Sequence, residues 1–260
     1  MCIRDRYIAV LIKKYDYEHY DRETKKSGRS YLVGEKKLPS VTTILEKTKD
    51  KEWLKKWQEK VGIEEAERIK NEASLIGTEM HKYLEYYVEG KRYESISPQG
   101  QQARLMALEI VKHGFKSITE VWGSEVSLRH TDKYAGATDL VALYDGKPVI
   151  IDFKQSNKPC QEHYSKIQDY YTQLAAYGEA HSEHYGPIEG GVILMCTRGL
   201  LFQKFEVFGD RYEKAKQDWW KKYDDYVTIT KSEQLHQESE QKDETSISEN
   251  EQSSHPQSPQ

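Results

Sequence analysis

Residues 39–230 read as one α/β domain, a central mixed β-sheet flanked by helices, with its own helical region at the N-terminal end (39–115). Three observations predict it. Apolar residues recur at helical spacing through residues 40–114. The period changes to loose alternation at 118–154 and again at 188–208. A helical pattern at 161–184 divides the two strand groups, and another closes the domain from Asp210.

The elements follow in order. Residues 7–38 are mixed, with Tyr-rich segments and turn signals at Ser27-Gly28 and Gly34. Ser40 can cap a helix whose apolar stripe is Val41, Ile44 and Leu45. A second helix covers about 50–60, with Trp53, Leu54 and Trp57 on one side. Ile63–Val88 is a long helical pattern closed by Gly90. Ser97-Pro98 opens another helix, which runs to Gly114. Strands are expected at 118–130, 134–144 and 147–154, the last two split by Asp145-Gly146. After the 161–184 helix come strands at 188–196 and 200–208, with a turn at Arg198-Gly199. The last helix is expected from Asp210 to about Val227.

Composition narrows the function classes. The chain has 260 residues, 32% of them charged, and a mean hydropathy of −0.88. It holds no run of roughly 18 apolar residues, the length a membrane span needs. The apolar run Tyr7–Ile12 is too short for a secretory h-region. Cys2, Cys160 and Cys196 are too few and scattered for a disulfide framework, and no CxxC supports a zinc ribbon or a four-cysteine iron–sulfur cluster. A soluble protein in a reducing, intracellular setting is the simplest expectation. Residues 231–260 carry a net charge of −5, leaving +1 for residues 1–230. That tail is Ser, Gln and Glu in repetition, with Leu235 and Ile247 as its clear apolar residues, and is expected to be disordered. The first six residues, Met1 to Arg6, fit no structural pattern and resemble read-through of a sequencing adaptor, so they are set apart as an artefact.

The chemistry gathers on one hairpin. A two-residue turn at Asp145-Gly146 pairs Tyr144 with Lys147, and the same register sets Asp139 opposite Asp152. Directly opposed residues share a face, with Cβ atoms roughly 4.5–5.5 Å apart. Lys154 is on that face too, opposite the small Ala137. Both strands are apolar on both faces, with Leu140, Ala142, Val149 and Ile151 on one and Val141 and Ile150 on the other. Such strands are buried. Two buried carboxylates that close need a cation between them. A divalent metal is the economical choice; Lys154 alone, in a structural Asp–Lys–Asp cluster, is the other.

Three further groups stand out. Gln173 and Tyr177 share one helical face, while Leu174, Ala175 and Ala176 point elsewhere; alone they are ordinary helix positions. Gly77 lies inside a helix, where glycine costs about 1 kcal/mol against alanine, and suggests close approach by another backbone or a ligand. His81 follows it by four residues, shares a face with Glu85, and alone reads as structural. Glu125 sits in the strand before the hairpin.

Together, Gly77-x-x-x-His81, Gly136-x-x-Asp139, Asp152-x-Lys154 and Gln173-x-x-x-Tyr177, in this order, resemble the motif set of RecB-like nucleases of the PD-(D/E)XK superfamily. Each motif alone is weak; four in order, with both aspartates on one hairpin, are specific. The resemblance is greatest to the family of mitochondrial genome maintenance exonucleases and their phage relatives, over about residues 38–227. Pro39-Ser40-Val41-Thr42 with Ile44-Leu45, Ile151 to Pro159, and the Trp219-Trp220 helix carry it. The chain departs in having Phe153 where tryptophan is familiar and Gln155 where threonine is usual.

The resemblance implies a PD-(D/E)XK, restriction-endonuclease-like core and a hydrolase that cuts phosphodiester bonds of DNA with Mg²⁺ or Mn²⁺, and no iron–sulfur cluster. Asp139, Asp152, His81 and the Phe153 backbone carbonyl would hold the metal, and Glu125 a second metal or its water shell. Lys154 would act at the attacking water and the phosphate, with Gln173 and Tyr177 as positioning groups. The substrate implied is single-stranded DNA ends in phage or organelle-like replication and repair, which for a phage protein means the host cytoplasm. Lys158, Ser156 and Lys166 are the candidate DNA contacts, with Arg129, Lys133, Lys55 and Lys56 as further basic groups. A structure-selective endonuclease of the same fold and a non-catalytic DNA-binding module are the competing expectations.

Overall fold

A computed structural model of the chain describes residues 10–25 and 27–252, apart from the side chains of Val10, Trp53 and residues 237–252. The expectations for Met1 to Arg6, Cys2, the Trp53 side chain and residues 253–260 lie outside what is described.

A strand of two residues, β1 (Val10–Leu11), leads into a three-stranded antiparallel sheet of β2 (Asp21–Lys25), β3 (Gly28–Val33) and β4 (Lys36–Pro39). Its turns fall at the two signals marked in the sequence. The strands themselves were not legible, because every residue of β2 is exposed and no alternation marks it.

Helix α1 (Val41–Lys47) starts where Ser40 caps it, accepting the Thr43 N–H at 3.0 Å. α2 (Glu52–Val61) and α3 (Ile63–Val88) are separated at Gly62, which takes φ +86°. Gly90, φ +68°, ends α3, and its N–H bonds the Tyr87 carbonyl. α4 (Pro98–Gly114) is capped by Ser97.

Then come β5 (Ile118–His130), β6 (Tyr134–Tyr144), β7 (Lys147–Ser156), α5 (Ser165–His184), β8 (Gly190–Thr197) and β9 (Phe202–Phe208). Several boundaries differ from expectation: β8 starts at Gly190 rather than 188 and ends at Thr197 rather than 196, and β9 starts at Phe202 rather than 200. β7 runs two residues further, because β8 pairs it in parallel through Ser156. α5 starts at Ser165 rather than 161, because residues 161–164 form a turn closed by Tyr164 N–H to the Gln161 carbonyl.

The main sheet has the order β1-β5-β6-β7-β8-β9, mixed as expected, with α5 as the crossover between the parallel pair β7 and β8. Its two faces hold separate cores. α3 and α4 cover Leu140, Ala142, Val149 and Ile151 with Ile76, Met80, Leu84 and Met106. α1, α5 and the last helix cover Val141 and Ile150 with Ile44, Leu174, Tyr177 and Trp219. This is the arrangement expected of a restriction-endonuclease-like core.

The last helix, α6 (Asp210–Gln252), continues well past Val227. This corrects the expectation of disorder over residues 231–252, whose backbone is helical. Glu, Gln, Lys and Ser tolerate a helix without needing packing, and Leu235 there is exposed. Among the described residues no helix is long and apolar enough to cross a membrane.

Candidate active site

The β6–β7 hairpin carries the site. Asp145 and Gly146 take φ +46° and +78°, as a type I′ turn requires. The ladder from Tyr144–Lys147 to Leu140–Ile151 keeps the expected register. It stops one step short of Asp139 and Asp152. Beyond that point β6 stays with β5 and β7 with β8, so the two strands part. Ala137 consequently pairs with Ser127 on β5 and not with Lys154.

The Asp139 carboxylate fills the breach. Its Oδ2 accepts the Phe153 N–H at 2.6 Å, in place of a ladder bond. An extended residue sends its N–H and C=O to the same edge, so the Phe153 carbonyl faces the same opening.

Because the sheet opens here, groups from both helical layers meet. From α3, His81 places Nδ1 3.0 Å from Asp139 Oδ1. From α5, Gln173 Nε2 donates to Asp152 Oδ1 at 3.1 Å. Lys154 Nζ forms an ion pair with Asp152 Oδ2. Asp139, Asp152 and Lys154 are 12%, 5% and 18% exposed, so these charges act in a largely dry setting.

Glu125 belongs to the same group, more closely than its place in the sequence suggests. Ser124 pairs with Leu140 and Val126 with Thr138, so Glu125 falls opposite Asp139. Three acids from three adjacent strands therefore lie in one row: Glu125, Asp139 and Asp152. Ligand atoms of His81, Glu125 and Asp139 all fall within 4.8 Å of one another, a spacing one cation can bridge. Asp152 stands apart from that trio, its oxygens engaged by Lys154 and Gln173. Glu125 holds φ +50° within its strand, a strained conformation for a side-chain-bearing residue, found where function over-determines the backbone.

The electrostatics follow from this crowding. Burial works against a charge on His81, but the Asp139 carboxylate outweighs it and raises the imidazole to about 9. Asp139 is lowered, since the His81 and Lys154 charges overcome the cost of its burial. Asp152 is raised by burial and by Asp139, against the pull of Lys154. The Glu125 carboxyl end is shielded although the residue as a whole is exposed; that shielding and the Asp139 charge push it up to about 7. His81 and Asp139 thus favour each other's charged forms, and a His81 that ligates a cation through Nδ1 would have to shed its proton there.

Tyr177 lies on the α5 face that the four-residue spacing predicted, buried at 2% exposure. Burial, and then the charge of Asp152, raises its hydroxyl, while a hydrogen bond with Gln173 opposes the shift. Gly136 explains itself against this ring: a Cβ there would lie 2.6 Å from Tyr177 Cε1. Gly77 is different. A Cβ there would meet only Gln155 Cγ, at an ordinary 3.8 Å, so no other backbone approaches.

The candidate DNA contacts scatter. Lys158 is exposed on the turn after β7. Ser156 is buried and donates its hydroxyl to the Lys158 carbonyl at 2.8 Å, inside that turn. Lys166, half-buried in the first turn of α5, places Nζ 5.8 Å from the Tyr170 ring centroid. Arg129 Nε donates to the Tyr20 hydroxyl at 3.0 Å, and Lys133 Nζ lies 4.6 Å over Trp220. Lys55 and Lys56 are exposed on α2.

Two contacts beside the site were not legible in the sequence. Gln155 Nε2 donates to the Ala73 carbonyl at 3.3 Å and so ties β7 to α3 one turn before Gly77. Tyr170 faces Lys154, with Nζ 4.8 Å from its ring centroid. A signal for it existed: Lys166, Tyr170, Gln173 and Tyr177 recur at helical spacing along one stripe of α5.

No family model matches the chain. It is 30% identical over 172 residues to mitochondrial genome maintenance exonuclease 1 of Mus musculus, covering 62% of this chain and 50% of that protein. It is 29% identical over 177 residues to the Homo sapiens protein of that name and 32% over 176 residues to that of Xenopus tropicalis. The chain spans about half the length of these relatives. The similarity bears out the resemblance to mitochondrial genome maintenance exonucleases drawn from the motifs.

Proposed function

We propose that the chain is a divalent-metal-dependent DNA exonuclease that hydrolyses phosphodiester bonds from single-stranded ends, in DNA replication or repair of a phage or organelle-like kind. One observation carries it: Asp139 sits in the parted hairpin between a histidine, a second carboxylate on each side, and the Phe153 carbonyl edge. A fold stabilised for its own sake closes such a breach with backbone bonds. Similarity to proteins named exonucleases supports the same reading.

The donor set suits Mg²⁺ or Mn²⁺: carboxylates and a backbone carbonyl are hard oxygen ligands, and one imidazole is compatible with Mn²⁺. Asp139 would be a ligand, together with His81 and Glu125. Glu125 stands on the β5 side of Asp139 and Asp152 and the Phe153 carbonyl on its β7 side, while His81 reaches it from α3. When bound, the cation supplies Lewis acidity at the scissile phosphate. The rest falls to the chain's own residues. Lys154, held by Asp152, presents its ammonium to the charge that grows on the phosphoryl oxygens. Gln173 fixes the Asp152 carboxylate by hydrogen bonding one of its oxygens. Tyr177, wedged against Gly136, keeps Gln173 in place. Lys158 and Lys166 lie near the β7 end of the site and contact the strand backbone.

The test is degradation of end-labelled linear single-stranded DNA beside a closed single-stranded circle, with Mg²⁺, Mn²⁺ or EDTA. Metal-dependent loss of the linear strand with the circle intact is expected. Cutting of the circle would make the chain an endonuclease. Binding of DNA with no cleavage under either metal would make it a binding module and the acidic row structural.

A further inference from the structure

Lys154 poses a problem that the acidic row does not solve. A lysine ammonium moves on four rotatable bonds, and holding it in one place costs side-chain entropy. Its ion pair with Asp152 is one restraint. Asp152 in turn is restrained by Gln173. The second restraint on Lys154 itself is aromatic: Nζ lies 4.8 Å from the centroid of the Tyr170 ring, within the range where a cation is drawn to a π face. Tyr170 is half-buried and packs on the α5 side of the core. It precedes Gln173 by three residues, so one face of α5 holds both members of the Asp152–Lys154 pair, one by an amide and one by a ring. Lys166, a turn earlier, places its own Nζ 5.8 Å from the same centroid.

We propose that Tyr170 is a positioning residue of the nuclease site, which acts through Lys154: its ring, and not its hydroxyl, fixes the ammonium beside Asp152 where it meets the phosphate. This deepens the nuclease reading and rests on it. The ring would matter when charge develops on the phosphate and little when DNA first binds. Its loss should therefore lower kcat and leave KM nearly unchanged.

The experiment compares wild type with Tyr170→Phe, Tyr170→Trp and Tyr170→Leu on linear single-stranded DNA with Mn²⁺, with a thermal melt of each. Phe and Trp keep the π face and should stay within about threefold of wild type. Leu removes it and should lower kcat by roughly three- to thirtyfold, the range that a cation–π contact spans, with KM within about twofold. Phe is nearly isosteric, so it keeps the series informative even where Leu unfolds. A Phe variant that loses as much as Leu would give the role to the hydroxyl and overturn the proposal. So would a folded Leu variant with wild-type kcat, or one whose loss is all in KM. Wild type inert on every DNA with either metal would instead remove the nuclease reading, and this proposal with it.

Discussion

Asp139 answers to four neighbours at once: the Phe153 N–H, His81, Glu125 across one strand gap and Asp152 across the other. A site of this kind leaves little freedom at the glycines around it, and the two glycines of the motifs behave differently. Gly136→Ala drives a Cβ to 2.6 Å from the buried Tyr177 ring. We expect a loss of about 1–3 kcal/mol, as for overpacked cores, read as a lower melting temperature. Gly77→Ala meets only a 3.8 Å contact. It should stabilise the protein by up to about 1 kcal/mol through helix propensity. If the open face at Gly77 is kept for the DNA strand, the same variant shows a raised KM. Stability rising while KM stays fixed would remove Gly77 from the substrate path.

At the scale of elements, α5 serves both ends of the domain. Its first half lines the site; its last turn buries His181, which anchors the segment before β2. His181 Nδ1 lies 2.8 Å from the Gly186 carbonyl, which can only accept, so Nδ1 carries the proton. Nε2 therefore accepts from the Tyr17 hydroxyl, at 3.0 Å. Burial lowers this histidine from 6.5 to about 4. The unfolded chain takes up a proton near pH 6.5 that the folded one refuses until about pH 4. Stability is thus complete above pH 6.5 and falls by about 3 kcal/mol as the pH drops to 4. Urea unfolding at pH 7 and 4.5 checks it: His181→Gln should flatten that part of the loss. The same scale shows what the sequence could reveal. The β6–β7 register was legible because Asp145-Gly146 fixes a two-residue turn. The β5–β6 register was not, because the link from His130 to Tyr134 is a three-residue turn without such a signal. Glu125 thus looked like any strand glutamate until its partner strand was known. β2 was illegible because it is exposed throughout. Tyr170 was passed over because an aromatic residue beside Tyr171 reads as packing.

Across the whole molecule, the two cores on either side of the sheet account for the folded domain. Past Leu235 the sequence of α6 is polar apart from Ile247. Removal of residues 238–260 should leave the melting temperature within about 2 °C, the low end of the shift that 1 kcal/mol produces in a chain of this size. A larger fall would show that the tail packs on the domain. The central claim is that Asp139, Asp152 and Lys154 form a working hydrolytic site and not a structural cluster. The most direct measurement pairs Mn²⁺ titration calorimetry with single-turnover cleavage of linear single-stranded DNA, for wild type and Lys154→Ala. The account predicts that the variant still binds Mn²⁺ with affinity close to that of wild type while its cleavage rate falls by at least about a hundredfold, as expected for loss of a charge aimed at the transition state. A Lys154→Ala variant that cleaves at the wild-type rate would contradict it.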